Sequence, residues 1–169
     1  MIRNMKLALE VVNSLERDGI IGRYAIGGAM AAVFYAEPVS TFDVDIFITF
    51  FANSSGLISL APVYEDLAKR GYSVSGEHVD LGGVPVQFLA AYNALVEEAI
   101  EKSIETYYSG IRTRIFSLEH VIAIALQTGR PKDRGRVAML LSQTKPDMML
   151  LDDILHRYEL KGIWTKWTS

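Results

Sequence analysis

Two aspartates separated by one residue, Asp43 and Asp45, are the side chains of this sequence best suited to metal-assisted chemistry. They lie in the apolar run FDVDIFI, which is typical of a β-strand. Because alternate residues of a strand share a face, both carboxylates point to the same side as Phe47. Two carboxylates on one face repel each other unless a cation compensates, and Mg²⁺ binds carboxylates together with substrate phosphates. We therefore predict a Mg²⁺ site on this strand; the alternative is an exposed face that only meets water.

A glycine pair, Gly27-Gly28, precedes the aspartates. It follows the short apolar stretch Tyr24–Ile26 and opens a small-residue segment, 29–36, that we predict to be helical. Glycines at a strand-to-helix turn let the backbone approach a phosphate, and the start of a helix favours negative charge. Paired glycines often serve only a tight turn, but here they lie between a strand and a helix, which is the context that phosphate binding needs.

The order Gly27-Gly28, then Thr41-x-Asp43-x-Asp45, resembles the polymerase-β-like nucleotidyltransferase superfamily. The most similar branch is that of the AbiEii-type proteins of bacterial toxin–antitoxin and phage-abortive systems. The resemblance implies a mixed α/β (α+β) sheet flanked by helices, with a helical C-terminal portion. It further implies that Gly27 and Gly28, with Thr41, bind the triphosphate of an NTP substrate, and that Asp43 and Asp45 bind two Mg²⁺ ions.

The sequence departs from this superfamily at a third position. The superfamily usually has a further carboxylate on a later strand, where it acts as general base and metal ligand. The corresponding strand here, 84–89, offers Gln87, whose amide oxygen can bind a metal but cannot take a proton from a hydroxyl at neutral pH. Glu77 and Asp80, just before the next glycine pair, are candidates to replace it. Two hypotheses therefore stand: an active enzyme, and a catalytically degenerate module that binds nucleotide, RNA or a cognate protein partner.

A basic segment, GRPKDRGR, begins at residue 129 and carries four basic residues within seven. Such a cluster can neutralise a triphosphate or an RNA backbone. AbiEii-type proteins have a similar Arg-x-Lys-Asp segment. That similarity implies that Lys132 contacts substrate phosphate, that Asp133 supports the site and that Arg130 adds charge. The alternative is a solvated helix start in which Asp133 is a favourable first-turn anion.

Periodicity and turn residues predict the elements that position these side chains. Asn93 and Ser117 are expected to cap helices, and Gly82-Gly83 to form a hairpin turn. Most of the predicted strands lie before residue 93, and mainly helices are predicted after it. We therefore expect an α/β core over 1–92 and a mainly helical portion over 93–169 packed on it. The predicted strands are 24–26, 41–51, 72–81, 84–89 and 112–116; the predicted helices are 5–17, 29–36, 62–70, 94–103, 118–128, 137–142 and 147–158.

The composition narrows the function classes. The 169 residues carry a net charge of −3, so the chain as a whole has no positive field that attracts nucleic acid. The net charge does not exclude a local basic patch. There is no cysteine, which excludes disulfides and thiolate metal sites. No apolar run of membrane-spanning length and no signal peptide is found, so we expect a cytoplasmic protein without a membrane partner. We interpret His78, His120 and His156 as structural or surface residues, and Ser117 as lacking a nearby base and acid. A further alternative is that the two aspartates contact a basic residue of another subunit.

Overall fold

The computed structural model describes residues 5–36, 43–50 and 59–169, in which seven strands and eight helices follow one another. The strands are β1 Tyr24–Ile26, β2 Val44–Ile48, β3 Ser73–Ser75, β4 His78–Asp80, β5 Pro85–Ala90, β6 Ile104–Tyr108 and β7 Ile111–Ile115. The helices are α1 Met5–Arg17, α2 Gly28–Tyr35, α3 Ala61–Lys69, α4 Ala94–Glu101, α5 Leu118–Thr128, α6 Pro131–Gln143, α7 Met148–Arg157 and α8 Lys161–Thr168.

The strands form one mixed sheet in the order β3-β4-β5-β2-β1-β7-β6. β2 pairs antiparallel with β1 and parallel with β5, and β5 pairs antiparallel with β4. In this register Asp45 lies opposite Gln87, and Gln87 lies opposite His78. Because directly opposed residues share a face of the sheet, these three side chains form a row across three neighbouring strands.

Two hydrophobic clusters pack on opposite faces of β2. Val44, Ile46 and Ile48 belong to a cluster that includes residues of α1 and α3. Phe47 belongs to the other cluster, which includes residues of α2, α4, α5, α6 and α7. Alternation along β2 therefore places Asp45 on the same face as Phe47, as the sequence predicted. The acidic side chains thus face the layer of helices that follows in the second half of the chain.

The predicted mixed α/β fold is confirmed, and so are several local details. Asn93 Oδ1 accepts a hydrogen bond from the Val96 backbone N–H at 2.9 Å, and Ser117 Oγ accepts one from the His120 backbone N–H at 3.2 Å. Both residues therefore cap their helices as predicted. Gly129 ends α5 with a φ of 72°, the left-handed conformation common at helix C-termini. No helix in the described ranges is long and apolar enough to cross a bilayer.

The predicted elements are wrong in three respects that affect the sheet and the basic segment. Residues 72–81 do not form one strand, because a turn at Gly76-Glu77 separates β3 from β4. β6 was missed, and it pairs with β7 at one edge of the sheet. α6 begins at Pro131 rather than at 137, since proline is tolerated in the first helical turn. β6 and β7 lie in the portion 93–169, which therefore adds strands as well as helices to the fold; the boundary at 92 stays a prediction.

Candidate active site

A cavity of about 340 Å³ lies between the acidic face of β2 and the first turns of α2 and α6. Residues of β5 and α5 complete its walls, and Phe47, Phe116 and Leu89 give it an apolar side. Seven residues that the sequence singled out line this one cavity: Gly28, Asp43, Asp45, Gln87, Arg130, Lys132 and Asp133. Thr41 lies outside the described residues. The aspartates therefore face a cavity within one chain.

The glycine pair lets the start of α2 approach β2 closely. A Cβ on Gly27 would lie 2.5 Å from the Phe47 ring and 2.7 Å from the Phe116 ring, so only glycine fits there. Gly28 has a φ of 59°, and a Cβ on it would lie 2.5 Å from Asp45 Oδ2. The Gly27 backbone N–H also donates to the Asp45 carbonyl oxygen at 3.1 Å. The first turn of α2 is therefore fixed against the Asp45 side chain, while the role of the pair in phosphate binding stays a prediction.

The two aspartates have different surroundings. The Asp43 side chain is 44% exposed, and its Oδ2 accepts a hydrogen bond from His78 Nε2 at 3.0 Å. Burial raises the pKa of Asp45, and the neighbouring charge of Asp43 raises it further. Arg136, Lys132 and Arg130 oppose this rise without cancelling it. The basic side chains therefore offset only part of the combined effect of burial and of Asp43 on the pKa of Asp45.

The donor set of the cavity fits a hard divalent cation. Two carboxylates on one face, beside the amide of Gln87, offer oxygen ligands of the kind that Mg²⁺ takes together with water and phosphates. A cation between them would also offset the burial and the repulsion that together raise the pKa of Asp45. Within the described ranges, no three His, Asp or Glu side chains converge in a metal-binding arrangement. Any cation here would therefore depend on Asp43, Asp45, the Gln87 oxygen and the ligands that a substrate brings.

Asp133 organises the basic side of the cavity. It is 1% exposed, and it accepts hydrogen bonds from Arg130 Nε at 2.7 Å and from Arg136 Nη1 at 3.2 Å. The Arg130 backbone N–H donates to the same carboxylate at 3.2 Å, which satisfies one of the free N–H groups at the start of α6. Burial lowers the pKa of Arg136, while Asp133 and Asp45 act in the opposite direction. Lys132 lines the cavity with an exposed side chain, and no ion pair of Lys132 is found among the described residues.

Sequence reasoning missed three residues of this site. Arg136 was noted only as part of a basic run, and its i,i+3 spacing from Asp133 becomes informative once α6 is known to begin at Pro131. His78 was interpreted as structural or surface, yet it contacts Asp43. Tyr92, 56% exposed, lines the cavity after β5, and no sequence signal separated it from other tyrosines.

The sequence shows no base–acid pattern near Ser117 and so does not support a serine hydrolase, but the fold brings a histidine and a glutamate together with Ser117. Ser117 Oγ lies 2.6 Å from His120 Nδ1, and His120 Nε2 lies 2.8 Å from Glu98 Oε2. Both Ser117 and His120 are buried, and the serine hydroxyl also accepts from the first turn of α5. Arg157 of α7 donates to the same Glu98 at 2.6 Å. This network therefore ties α4, α5 and α7 together, with its serine and histidine buried.

The comparisons with known proteins support the fold. No family model and no curated protein matches the sequence. Among solved structures, an antigenic nucleotidyltransferase-like protein from Paracoccidioides brasiliensis aligns with a TM-score of 0.58 and 16% identity, over 94% of this chain and 90% of that one. The antibiotic-resistance factor ANT(2″)-Ia aligns with a TM-score of 0.54 and 14% identity, over 94% and 95%. A candidate nucleotidyltransferase from Thermotoga maritima aligns with a TM-score of 0.51 and 16% identity, over 85% and 97%.

At these identities the similarity defines the fold and nothing finer. The chain has a nucleotidyltransferase-like fold, and the cavity described above lies on its acidic sheet face. The narrower resemblance to AbiEii-type proteins stays a prediction, as do the assigned roles of the individual site residues.

Proposed function

We propose that this chain is a Mg²⁺-dependent nucleotidyltransferase that moves NMP from an NTP to a hydroxyl group of RNA, a protein or a small molecule. One observation carries the proposal: the two aspartates at the start of β2, the first turn of α2 and the basic residues at the start of α6 line the same cavity. The nucleotidyltransferase-like fold is consistent with it, although a fold alone does not define a function.

Each group has a distinct task in this proposal. Asp43 and Asp45, with the Gln87 oxygen, would hold Mg²⁺, which would supply charge stabilisation and orientation of the phosphates. The backbone at Gly28 receives a phosphate at the start of α2. Lys132 and Arg130 balance the charge of the triphosphate. The acceptor oxygen forms a bond to the α-phosphorus as the bond to pyrophosphate breaks, and the hydroxyl proton leaves to solvent or to a group of the acceptor.

The test is transfer of label from α-labelled NTPs to a mixture of RNA, protein and small-molecule acceptors in the presence of Mg²⁺. Asp45→Asn keeps the shape of the side chain and removes its charge, so we expect a loss of about 100-fold or more. Asp152→Asn is the matched control, because Asp152 is exposed and pairs with Lys161 outside the cavity. Undiminished transfer by the Asp45→Asn protein would refute the proposal.

A specific observation favours a second candidate. Gln87, directly opposite Asp45, cannot act as a general base at neutral pH. A catalytically degenerate module would bind a nucleotide, RNA or a protein partner, as in a toxin–antitoxin pair, without turnover. It predicts nucleotide binding that does not respond to Mg²⁺. Calorimetry with ATP and GTP, with and without Mg²⁺, separates the two candidates, because tight binding that requires Mg²⁺ contradicts the second.

A further inference from the structure

The amide of Gln87 has a partner that fixes its orientation. Gln87 lies on β5 between Asp45 of β2 and His78 of β4, and it lines the cavity. Its Nε2 donates a hydrogen bond to Glu77 Oε2 at 3.0 Å. An ionised carboxylate can only accept hydrogen bonds, so it selects the NH₂ end of the amide. The amide oxygen is then the end left for the cavity, and a reversal of the amide would place two acceptors against each other.

Glu77 is itself held in place by the fold. It occupies the two-residue turn between β3 and β4, where Gly76 has a φ of 60°. The Tyr64 hydroxyl of α3 donates to the Glu77 carbonyl oxygen at 2.6 Å and accepts from the Phe88 backbone N–H at 3.1 Å. Phe88 follows Gln87 in β5. One hydroxyl therefore ties the turn that carries Glu77 to the strand that carries Gln87, directly beside the hydrogen bond between their side chains.

We propose that Glu77 is a positioning residue that directs the Gln87 amide oxygen toward the cavity as a third oxygen donor beside Asp43 and Asp45. A hydrogen bond from the amide NH₂ to a carboxylate also increases the electron density on the amide oxygen, which makes it a better ligand. The carboxylate that this strand lacks is thus replaced by an amide with a carboxylate behind it. The inference rests on the proposed function, because it assigns a metal ligand of that same site.

The first measurement is metal affinity without nucleotide. Mn²⁺ prefers the same oxygen ligands as Mg²⁺, and free Mn²⁺ is counted by electron paramagnetic resonance. We expect Glu77→Ala to weaken Mn²⁺ binding about 10-fold, the lower end of the effect of losing an outer-shell partner. Glu77→Gln retains an acceptor oxygen for the Gln87 amide, so it should recover much of the affinity. Glu65→Ala on α3 removes an exposed negative charge nearby in sequence and should change nothing.

A double-mutant cycle separates positioning from simple charge. Gln87→Glu supplies a carboxylate that needs no amide orientation, so in that background Glu77 can contribute only its charge. Removing Glu77 should then cost clearly less Mn²⁺ affinity than it does with Gln87 present. Transfer activity should follow the same order, mainly as kcat at saturating NTP. Glu77 lies at an exposed turn, so thermal denaturation should show these variants folded.

Two results would overturn the inference alone, and a further one would overturn the proposed function with it. Equal Mn²⁺ affinity of the Glu77→Ala and Glu65→Ala proteins removes the positioning role. An equal loss on removing Glu77 from the unaltered chain and from the Gln87→Glu background shows that Glu77 contributes only charge. If the unaltered chain transfers label while its Mn²⁺ affinity ignores Glu77, only this inference fails. If the unaltered chain neither binds Mn²⁺ nor transfers label, the proposed function fails together with it.

Discussion

Replacing Gly28 with alanine tests how closely the start of α2 approaches the acidic pair. Gly28 has a φ of 59°, and this left-handed conformation costs an L-residue about 1–2 kcal/mol. An alanine Cβ would lie 2.5 Å from Asp45 Oδ2, well inside van der Waals contact. The atom that it meets is the end of a side chain, so the carboxylate should move while the backbone stays. We therefore expect a small loss of stability and a large loss of activity.

The magnitudes follow from those two effects. Alanine lowers the entropy of the unfolded chain, which returns about 0.4–1 kcal/mol of the backbone cost. The net loss in the free energy of unfolding should be about 1 kcal/mol, or about 2–4 °C in Tm for a chain of this size. If Asp45 acts as proposed, moving its carboxylate oxygen by about 1 Å should lower kcat/KM for label transfer about 100-fold. The expected loss of transition-state stabilisation thus exceeds the expected loss in the free energy of unfolding by more than about 1 kcal/mol.

Thermal denaturation and α-labelled NTP transfer on the same preparations provide the assay. Gly135→Ala is the matched control, because Gly135 lies within α6 and a Cβ there meets no atom within 4 Å. That change should stabilise the chain by up to about 1 kcal/mol, since alanine is the better helix former, and leave transfer unchanged. Full activity of the Gly28→Ala protein would refute the close approach, and a loss of stability above about 3 kcal/mol would show that the backbone had to move.

Two further changes probe the buried ion pairs. Asp133→Asn should lower the free energy of unfolding by about 2–3 kcal/mol in urea titrations, because Arg130 and the largely buried Arg136 lose their shared carboxylate; an unchanged urea midpoint would contradict this. Hydrogen bonds from Arg157 and His120 lower the pKa of Glu98 from 4.5 to about 2. The contribution of Glu98 to the free energy of unfolding is therefore fully present above pH 4.5 and declines as the pH falls toward 2. After allowance for solvent screening, Glu98→Gln should cost about 1–2 kcal/mol at pH 7 and about half as much at pH 3; an equal cost at both values would contradict the sign.

The elements that depend on local signals were predictable. Asn93 and Ser117 cap helices through bonds to residues three positions away, so the sequence contains both partners. β2 was recognisable because its buried residues alternate with its aspartates. β6 was not, because Ile104 and Tyr107 are exposed at the sheet edge and the strand exists through its pairing with β7. Strand propensity is a weak guide where the partner strand decides the outcome.

The acidic half of the site was predictable and its supporting residues were not. Asp43 and Asp45 lie two positions apart on a strand, so their common face follows from geometry alone. Glu77 and His78 reach the site only because a turn divides the run 72–81 and returns β4 along β5. Residues that act across strands depend on register, and register was not fixed by the alternation of this polar, exposed hairpin.

The charges of the cavity explain why metal and nucleotide should depend on each other. Three aspartates and three basic residues line it, so their formal charges cancel. The hydrogen bonds of Asp133 already engage Arg130 and Arg136, and Gln87 adds no charge. A triphosphate alone would therefore meet little net attraction beside Asp43 and Asp45. A cation alone would have only two carboxylates and an amide as ligands.

Each ligand supplies what the other lacks, and such coupling is reciprocal. If Mg²⁺ tightens nucleotide binding, the nucleotide tightens Mg²⁺ binding by the same factor. A chain that binds nucleotide equally well without Mg²⁺ must hold the phosphates away from the aspartates, which is the physical content of the degenerate alternative.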